Sequence, residues 1–247
     1  MAFGAMTAGE ALAAMRELPV AGLETILGGR RPLILAPHAD DESLGCGGLL
    51  AQAATAGLQP GVLVLTDGAG SHPGSVRYPP ARLRAVREAE ARAAVAILGV
   101  ERIGFLGLAD TAAPVAGAEF EAAVERILSV AREWDCGVLL APWRHDPHCD
   151  HEAAHLMASA AAERAGLGHL AYPVWGWTLD PAVTLEGPVV AGWRLDVSDE
   201  RAVKERAIGA HRSQYAGLVD DDPGGFQLEA GFLDLFAERF ETFLSAP

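Results

Sequence analysis

Residues 32–36, PLILA, form an apolar run with no polar position inside it. A strand with one wet face alternates apolar and polar residues, so an unbroken run predicts a strand covered on both faces. A polar turn follows, and from about Ser43 the spacing becomes that of a helix. The same order repeats along the chain. GVLVLTDG (61–68) reads as a second strand, RIGFLGL (102–108) as a third, CGVLLAPW (136–143) as a fourth and HLAYPVW (169–175) as a fifth. Between them, ARLRAVREAEARAAVAILG, EFEAAVERILSVAREWD and HEAAHLMASAAAERAG place apolar residues at helical spacing, the first stopped by Gly99. AVKERAIGAHRSQ and FLDLFAERFETFL continue the helical pattern toward the C-terminus, and two short apolar-periodic stretches precede the first strand.

Strands alternating with helices predict an α/β fold: a Rossmann-like, three-layer α/β/α arrangement around a mainly parallel sheet of order 3-2-1-4-5. Residues 1–247 read as one domain with a helical extension over 1–30, without internal repeats, and with VDDDPGGF (219–226) as its most loop-like segment. In such a sheet a ligand sits beyond the carboxyl ends of the strands, where the strand order reverses. Two polar clusters fall there. HADDE (38–42) follows the first strand and RHDPHCDH (144–151) the fourth. Those strands are neighbours in the expected order, so the two clusters meet.

Composition narrows the partners. A formal charge of −14 repels a phosphate backbone, which excludes nucleic acid unless a local basic patch exists, and only short arginine clusters occur. Three scattered cysteines do not make a disulfide framework and imply a reducing, cytoplasmic setting. No stretch of eighteen uninterrupted apolar residues predicts a membrane span. The Ala-rich helices leave open whether they pack on a second copy of the chain, as a homo-oligomer, or form the core.

A catalytic zinc takes three His or carboxylate ligands and keeps one position open for water. His38, Asp41 and His151 can supply the three from adjacent strand ends, leaving Asp40 as a base and His148 as an acid. Taken alone, HADDE also fits a solvated loop with a helix N-cap. PHADDESLGCGG followed by HCDH resembles the PIG-L/LmbE family of zinc-dependent de-N-acetylases, whose usual patterns are H-P-D-D-E and H-P-D-H. TDGAG at 66–70, the R-x-x-E-x-x-x-A-x-x-x-L-G run from Arg87 to Gly99, Asp110 after the third strand, and K-x-x-A-x-x-x-H-x-S-Q from Lys204 to Gln214 extend the likeness. The resemblance implies an LmbE-like fold and Zn2+, replaceable by Fe2+, Co2+ or Mn2+. It assigns His38, Asp41 and His151 as ligands, Asp40 as general base, His148 as acid and oxyanion stabiliser in protonated form, and Asp150 as the residue orienting His148. It also makes Arg87, Asp110 and His211 substrate contacts. The implied substrate is a small N-acetylated sugar or glycoconjugate of GlcNAc type. Ala39 and Cys149 stand where the family has proline, and Cys149 is read as a neighbour of the metal rather than a ligand.

Other readings compete. HEAAH (151–155) has the H-E-x-x-H spacing of a zincin protease, although Ala158 and Ala161 occupy the places of its commonest extension. GCGG (45–48) could cradle a phosphate, but glycines inside a helix fit close packing on the sheet better. A catalytically inactive sugar-binding module would need a degenerate site. Arg87 could be a surface charge paired with Glu90, and Trp175 or Trp177 a wall for a sugar face. His72, His145 and His169 read as loop or surface residues.

Overall fold

The computed structural model describes residues 3–188 and 190–246. The first strand of the central sheet is β2 (Pro32–Ala36), preceded by β1 (Phe3–Thr7), α1 (Ala8–Arg16) and α2 (Leu23–Leu27). Strand and helix then alternate through α3 (Asp41–Thr55), β3 (Gly61–Thr66), α4 (Pro80–Ile97), β4 (Arg102–Leu108), α5 (Gly117–Glu133), β5 (Val138–Pro142), α6 (Cys149–Ala165) and β6 (Gly168–Tyr172). The chain closes with β7 (Thr184–Pro188), β8 (Gly192–Asp196), α7 (Arg201–Ile208), α8 (Arg212–Tyr215), α9 (Ala230–Leu233) and β9 (Phe240–Ser245).

The sheet runs β4-β3-β2-β5-β6-β9-β8, parallel from β4 to β6 and antiparallel beyond. Its parallel part has the order expected from the sequence. Both faces are covered, which is why the strands read as unbroken apolar runs. Ile34 and Ala36 of β2 face one core with Leu49 and Leu50 of α3 and Val95 of α4. Leu33 and Leu35 face the other, with Ile127 and Leu128 of α5 and Met157 of α6. Along α5 the buried positions Phe120, Ala123, Val124, Ile127, Leu128 and Ala131 make one apolar stripe.

Two segments depart from the sequence reading. Residues 240–245 are strand rather than helix, because β9 pairs with both β6 and β8 and four of its six residues are buried. In the N-terminal segment expected to be helical, Phe3–Thr7 are a strand paired antiparallel to β7. Thr7 then caps α1, its side chain accepting from the Glu10 N–H while Glu10 reaches back to the Thr7 N–H.

Close approach of α3 to the sheet depends on its glycines. A Cβ on Gly45 would lie 2.3 Å from the Tyr172 ring, and one on Gly48 2.3 Å from Val197. GCGG is therefore a packing feature, with side chains rather than a phosphate against it. No helix among the described residues is long and apolar enough to cross a membrane.

Candidate metal centre and catalytic pocket

The connections run one way from β2 through β3 to β4 and the other way from β5 to β6, so the strand order reverses between β2 and β5. Both polar clusters lie just past these two strands. His38 follows β2; Asp40 and Asp41 open α3; His148 is the N-cap of α6, and His151 sits in that helix's first turn. Both helices aim their positive ends at the site, which favours the carboxylates gathered there.

His38 and His151 are each held from one side and open on the other. His38 Nε2 is 3.0 Å from Asp150 Oδ2 and 3.3 Å from Asp110 Oδ1, while its Nδ1 faces Asp41 Oδ2 at 3.4 Å. His151 Nδ1 donates to Asp146 Oδ2 at 3.0 Å, while its Nε2 faces the same Asp41 oxygen at 3.3 Å. Nε2 of His151 is buried and has no hydrogen-bond partner. Carboxylates on the far nitrogens fix the tautomers that leave a lone pair on each near one, as metal-bound histidines require. Two imidazole lone pairs and a carboxylate around one point suit zinc. Nitrogens of His38, His148 and His151 also lie within 4.8 Å of one another. The group of His38 with Asp110 and Asp150 is different, since both carboxylates meet a single nitrogen as hydrogen-bond partners.

Charge follows this geometry. Burial lowers the proton affinity of His38, but Asp110, Asp150 and Asp41 outweigh it and hold the imidazole well above its usual value. At His151 burial is likewise outweighed by Asp41 and Asp146, which raise it to about 9. Asp41 is pushed up by burial yet held far below the carboxylate range by His151 and His38. Asp110, also opposed by burial, is drawn down to about 2, chiefly by His38. Asp40 moves the other way: burial raises it to about 6 against the pull of Arg87.

Asp40 has φ 150° and ψ −30°, a conformation that side chains rarely adopt. Glu42 holds it there, one carboxylate oxygen accepting the Asp40 N–H at 3.0 Å while the other takes Ser43 Oγ and His211 Nε2. His211 therefore sits one layer behind Asp40. It is 1 % exposed, bonded to Glu42, and does not line the pocket. Gln214, three residues on, lines the pocket instead, with a buried Oε1 that has no partner.

Asp150 faces two histidines. Its carboxylate accepts from His38 Nε2 and from the N–H groups of Thr111 and Ala113. Its hydrogen bond to His148 comes from the backbone, the Asp150 N–H donating to His148 Nδ1 at 3.2 Å, while its carboxylate lies within 4.8 Å of that ring. Nδ1 acts here as an N-cap acceptor, which favours the neutral imidazole with its hydrogen on Nε2. Burial and the neighbouring His38 and His151 also lower its proton affinity.

The pocket of about 150 Å³ has a polar side with Arg87, Asp110 and Gln214, and an apolar side with Trp175, Phe226 and Leu228. Arg87 does not pair with Glu90, which binds Ser213 instead. Its guanidinium donates to the carbonyls of Gly68 and Ala39 and lies 3.5 Å from Asp40 Oδ2. Trp175 is fixed by stacking on Phe232 at 4.2 Å between ring centres. Cys149 is exposed and its thiol donates to the Thr111 carbonyl. His72 is not at the surface: it is 2 % exposed, with Gly225 against its ring.

HEAAH does not aim two histidines at one point. His155 Nδ1 donates to the Pro142 carbonyl, and its ring lies against His169 beside a separate small cavity with Trp143 and His145. Asp146 is the residue that reading the sequence missed. It is 4 % exposed and also accepts from the N–H groups of Val174, Trp175 and Gly176. The signal was present, since a metal-bound imidazole needs an acceptor on its other nitrogen and Asp146 stands in the same cluster.

Known proteins resemble this chain in sequence and in fold. A diacetylchitobiose deacetylase of Thermococcus kodakarensis is 32% identical over 194 residues, covering 75% of this chain and 70% of its own length. A Rhodococcus jostii 1D-myo-inositol 2-acetamido-2-deoxy-alpha-D-glucopyranoside deacetylase is 30% identical, covering 75% of this chain and 82% of its own. The structure of N,N'-diacetylchitobiose deacetylase from Pyrococcus horikoshii superposes with a TM-score of 0.64 at 21% identity, over 90% of this chain and 87% of that one, and shows the shared fold. Residues 33–162 match the family model PIG-L, described as GlcNAc-PI de-N-acetylase. That span begins inside β2 and ends inside α6, so it takes in both clusters of the site, and the chain belongs to the PIG-L family.

Proposed function

We propose that the chain is a zinc-dependent hydrolase that removes the N-acetyl group from a GlcNAc-type sugar or glycoconjugate. The observation that carries this reading is the convergence of His38, Asp41 and His151 on one point, with Asp40 and His148 in the same pocket. Two relatives are named as deacetylases, of diacetylchitobiose and of a 2-acetamido-2-deoxyglucopyranoside, which supports the substrate class.

His38, Asp41 and His151 would hold the zinc, which when bound lowers the pKa of a water to about 7 and polarises the amide carbonyl. Asp40 accepts the proton of the attacking water; its raised proton affinity suits it to take that proton and later deliver it to the leaving amine. His148 presents its Nε2–H to the oxyanion, a donor worth about 3–4 kcal/mol when well placed. Asp110 and Asp150 hold His38, and Asp146 holds His151. Arg87 and Asp110 are assigned to the sugar hydroxyls, and Trp175 to an apolar sugar face. Its three free cysteines are consistent with a cytoplasmic setting.

The test combines metal content with turnover. Zinc should be retained in His155→Ala and Asp40→Asn and lost in His38→Ala, while Asp40→Asn releases acetate from GlcNAc glycosides at least about 100-fold more slowly than wild type. Wild-type turnover by Asp40→Asn at full zinc occupancy would remove the base from the mechanism. Loss of zinc in His155→Ala with retention in His38→Ala would restore the protease reading.

A further inference from the structure

A second cavity, of about 360 Å³, shares Leu44 with the catalytic pocket and none of its other lining residues. Leu44 and Gly45 of α3 form one wall; Trp177, Leu235, Phe236 and Phe240 supply apolar surface on the others. Its volume falls within the range of small-molecule sites, and its mixture of apolar walls with a few convergent charges is the usual make-up of one.

The charges have a sign. Lys204, 3 % exposed, donates to Glu241 Oε1 at 2.8 Å, and that carboxylate also accepts the N–H groups of Gly48 and Leu49. This buried pair is neutral, and Lys204 makes no other side-chain hydrogen bond among the described residues, leaving donor capacity on Nζ. Arg194 lies over the Phe240 ring at 4.8 Å and uses its Nε on the Leu18 carbonyl; Arg16 lies over the Trp177 ring at 5.5 Å. Neither guanidinium has a carboxylate within 4.0 Å among the described residues, and the remaining acid, Glu238, is exposed at the rim. Two arginines against one glutamate leave the cavity with an excess positive charge, in a chain whose net charge is −14.

We infer that this cavity binds a small amphipathic monocarboxylate, its apolar body against Leu44, Leu235 and Phe236 and its carboxylate toward Arg16 and Arg194. A planar guanidinium pairs with a carboxylate through parallel N–H donors, and each guanidinium already lies over an aromatic ring. The site is separate from the metal centre, and the inference stands whether or not the chain is a deacetylase.

Octanoate is the probe, titrated by calorimetry into the zinc-loaded protein in a carboxylate-free buffer, with Leu235→Trp separating binding in this cavity from binding at the metal. Octanoate should bind saturably, one per chain. Neutral 1-octanol should bind at least about fivefold more weakly, as should octanoate to Arg16→Gln, whose exposed side chain makes no hydrogen bond that folding needs. Leu235→Trp, which fills the cavity, should remove the binding while keeping the wild-type zinc content. Octanoate heats that do not saturate below about 10 mM, equal affinity for octanoate and octanol, or undiminished binding in a folded Leu235→Trp protein would overturn the proposal.

Discussion

Replacing Asp146 with asparagine tests how the metal centre is held together. Asp146 Oδ2 accepts from His151 Nδ1 and from the N–H groups of Val174 and Trp175, each at 3.0 Å, and Oδ1 accepts from Gly176 at 2.7 Å. Alanine would orphan all four buried donors. At about 1–3 kcal/mol each, the loss would rival the whole stability of a domain, commonly about 5–15 kcal/mol, and folding itself would be at risk. Asparagine, turned so that its oxygen takes the place of Oδ2, keeps three of the four and opposes its NH2 to the Gly176 N–H. The expected destabilisation of the metal-free protein is therefore about 1–3 kcal/mol. The effect on the metal is separate. His151 loses the negative charge behind its ring, which should weaken zinc binding by about 10–100-fold, or about 1.4–2.7 kcal/mol. Chelator competition gives the zinc Kd, and denaturant unfolding of the metal-free protein gives the stability. A Kd within twofold of wild type would show that Asp146 serves only the loop around Trp175 and that His151 is oriented by something else.

Gly45→Ala forces a Cβ to within 2.3 Å of the Tyr172 ring, whose hydroxyl is anchored on the Leu35 carbonyl, so the ring cannot swing away freely. A loss of about 1–3 kcal/mol in chemical denaturation is expected, and an unchanged midpoint would contradict the close packing of α3. Acid sensitivity should be traceable in part to His169, whose proton affinity is lowered by burial and by the neighbouring His155 to a pKa of about 3. The unfolded chain takes up this proton from about pH 6.5 downward and the folded chain does not, so stability falls as pH drops from about 6.5 toward 3. By pH 5 the deficit from this residue is about 2 kcal/mol. His169→Gln should lessen the drop in Tm between pH 7 and pH 5; an identical drop would place the acid sensitivity elsewhere.

What the sequence made legible follows from the range of the interactions involved. β2, β3 and β5 announce themselves because a strand covered on both faces cannot hide its apolar run, and the chemistry of HADDE and HCDH lies in adjacent residues. FETFL escaped because Phe240 and Phe243 also fit helical spacing, and only pairing with β6 and β8 makes it a strand. The same limit applies in the site. His211 carries the right chemistry for a substrate contact, but its direction is set by Glu42, 169 positions away along the chain. Asp150 likewise sits in the right cluster, yet its carboxylate turns to His38 because the N–H groups of Thr111 and Ala113 draw it there. Local pattern gives the residue; packing decides which way it points.

The backbone at Asp40 sets selection for stability against selection for turnover. A φ of 150° suits glycine, and holding a carboxylate residue there costs on the order of 1–3 kcal/mol, besides the burial of its charge. On the proposed mechanism, position 40 is one where the most stable sequence and the most active one differ. Directed evolution that rewards only heat resistance would drift toward glycine here and deliver a sturdier protein that lacks the proton acceptor assigned by that mechanism.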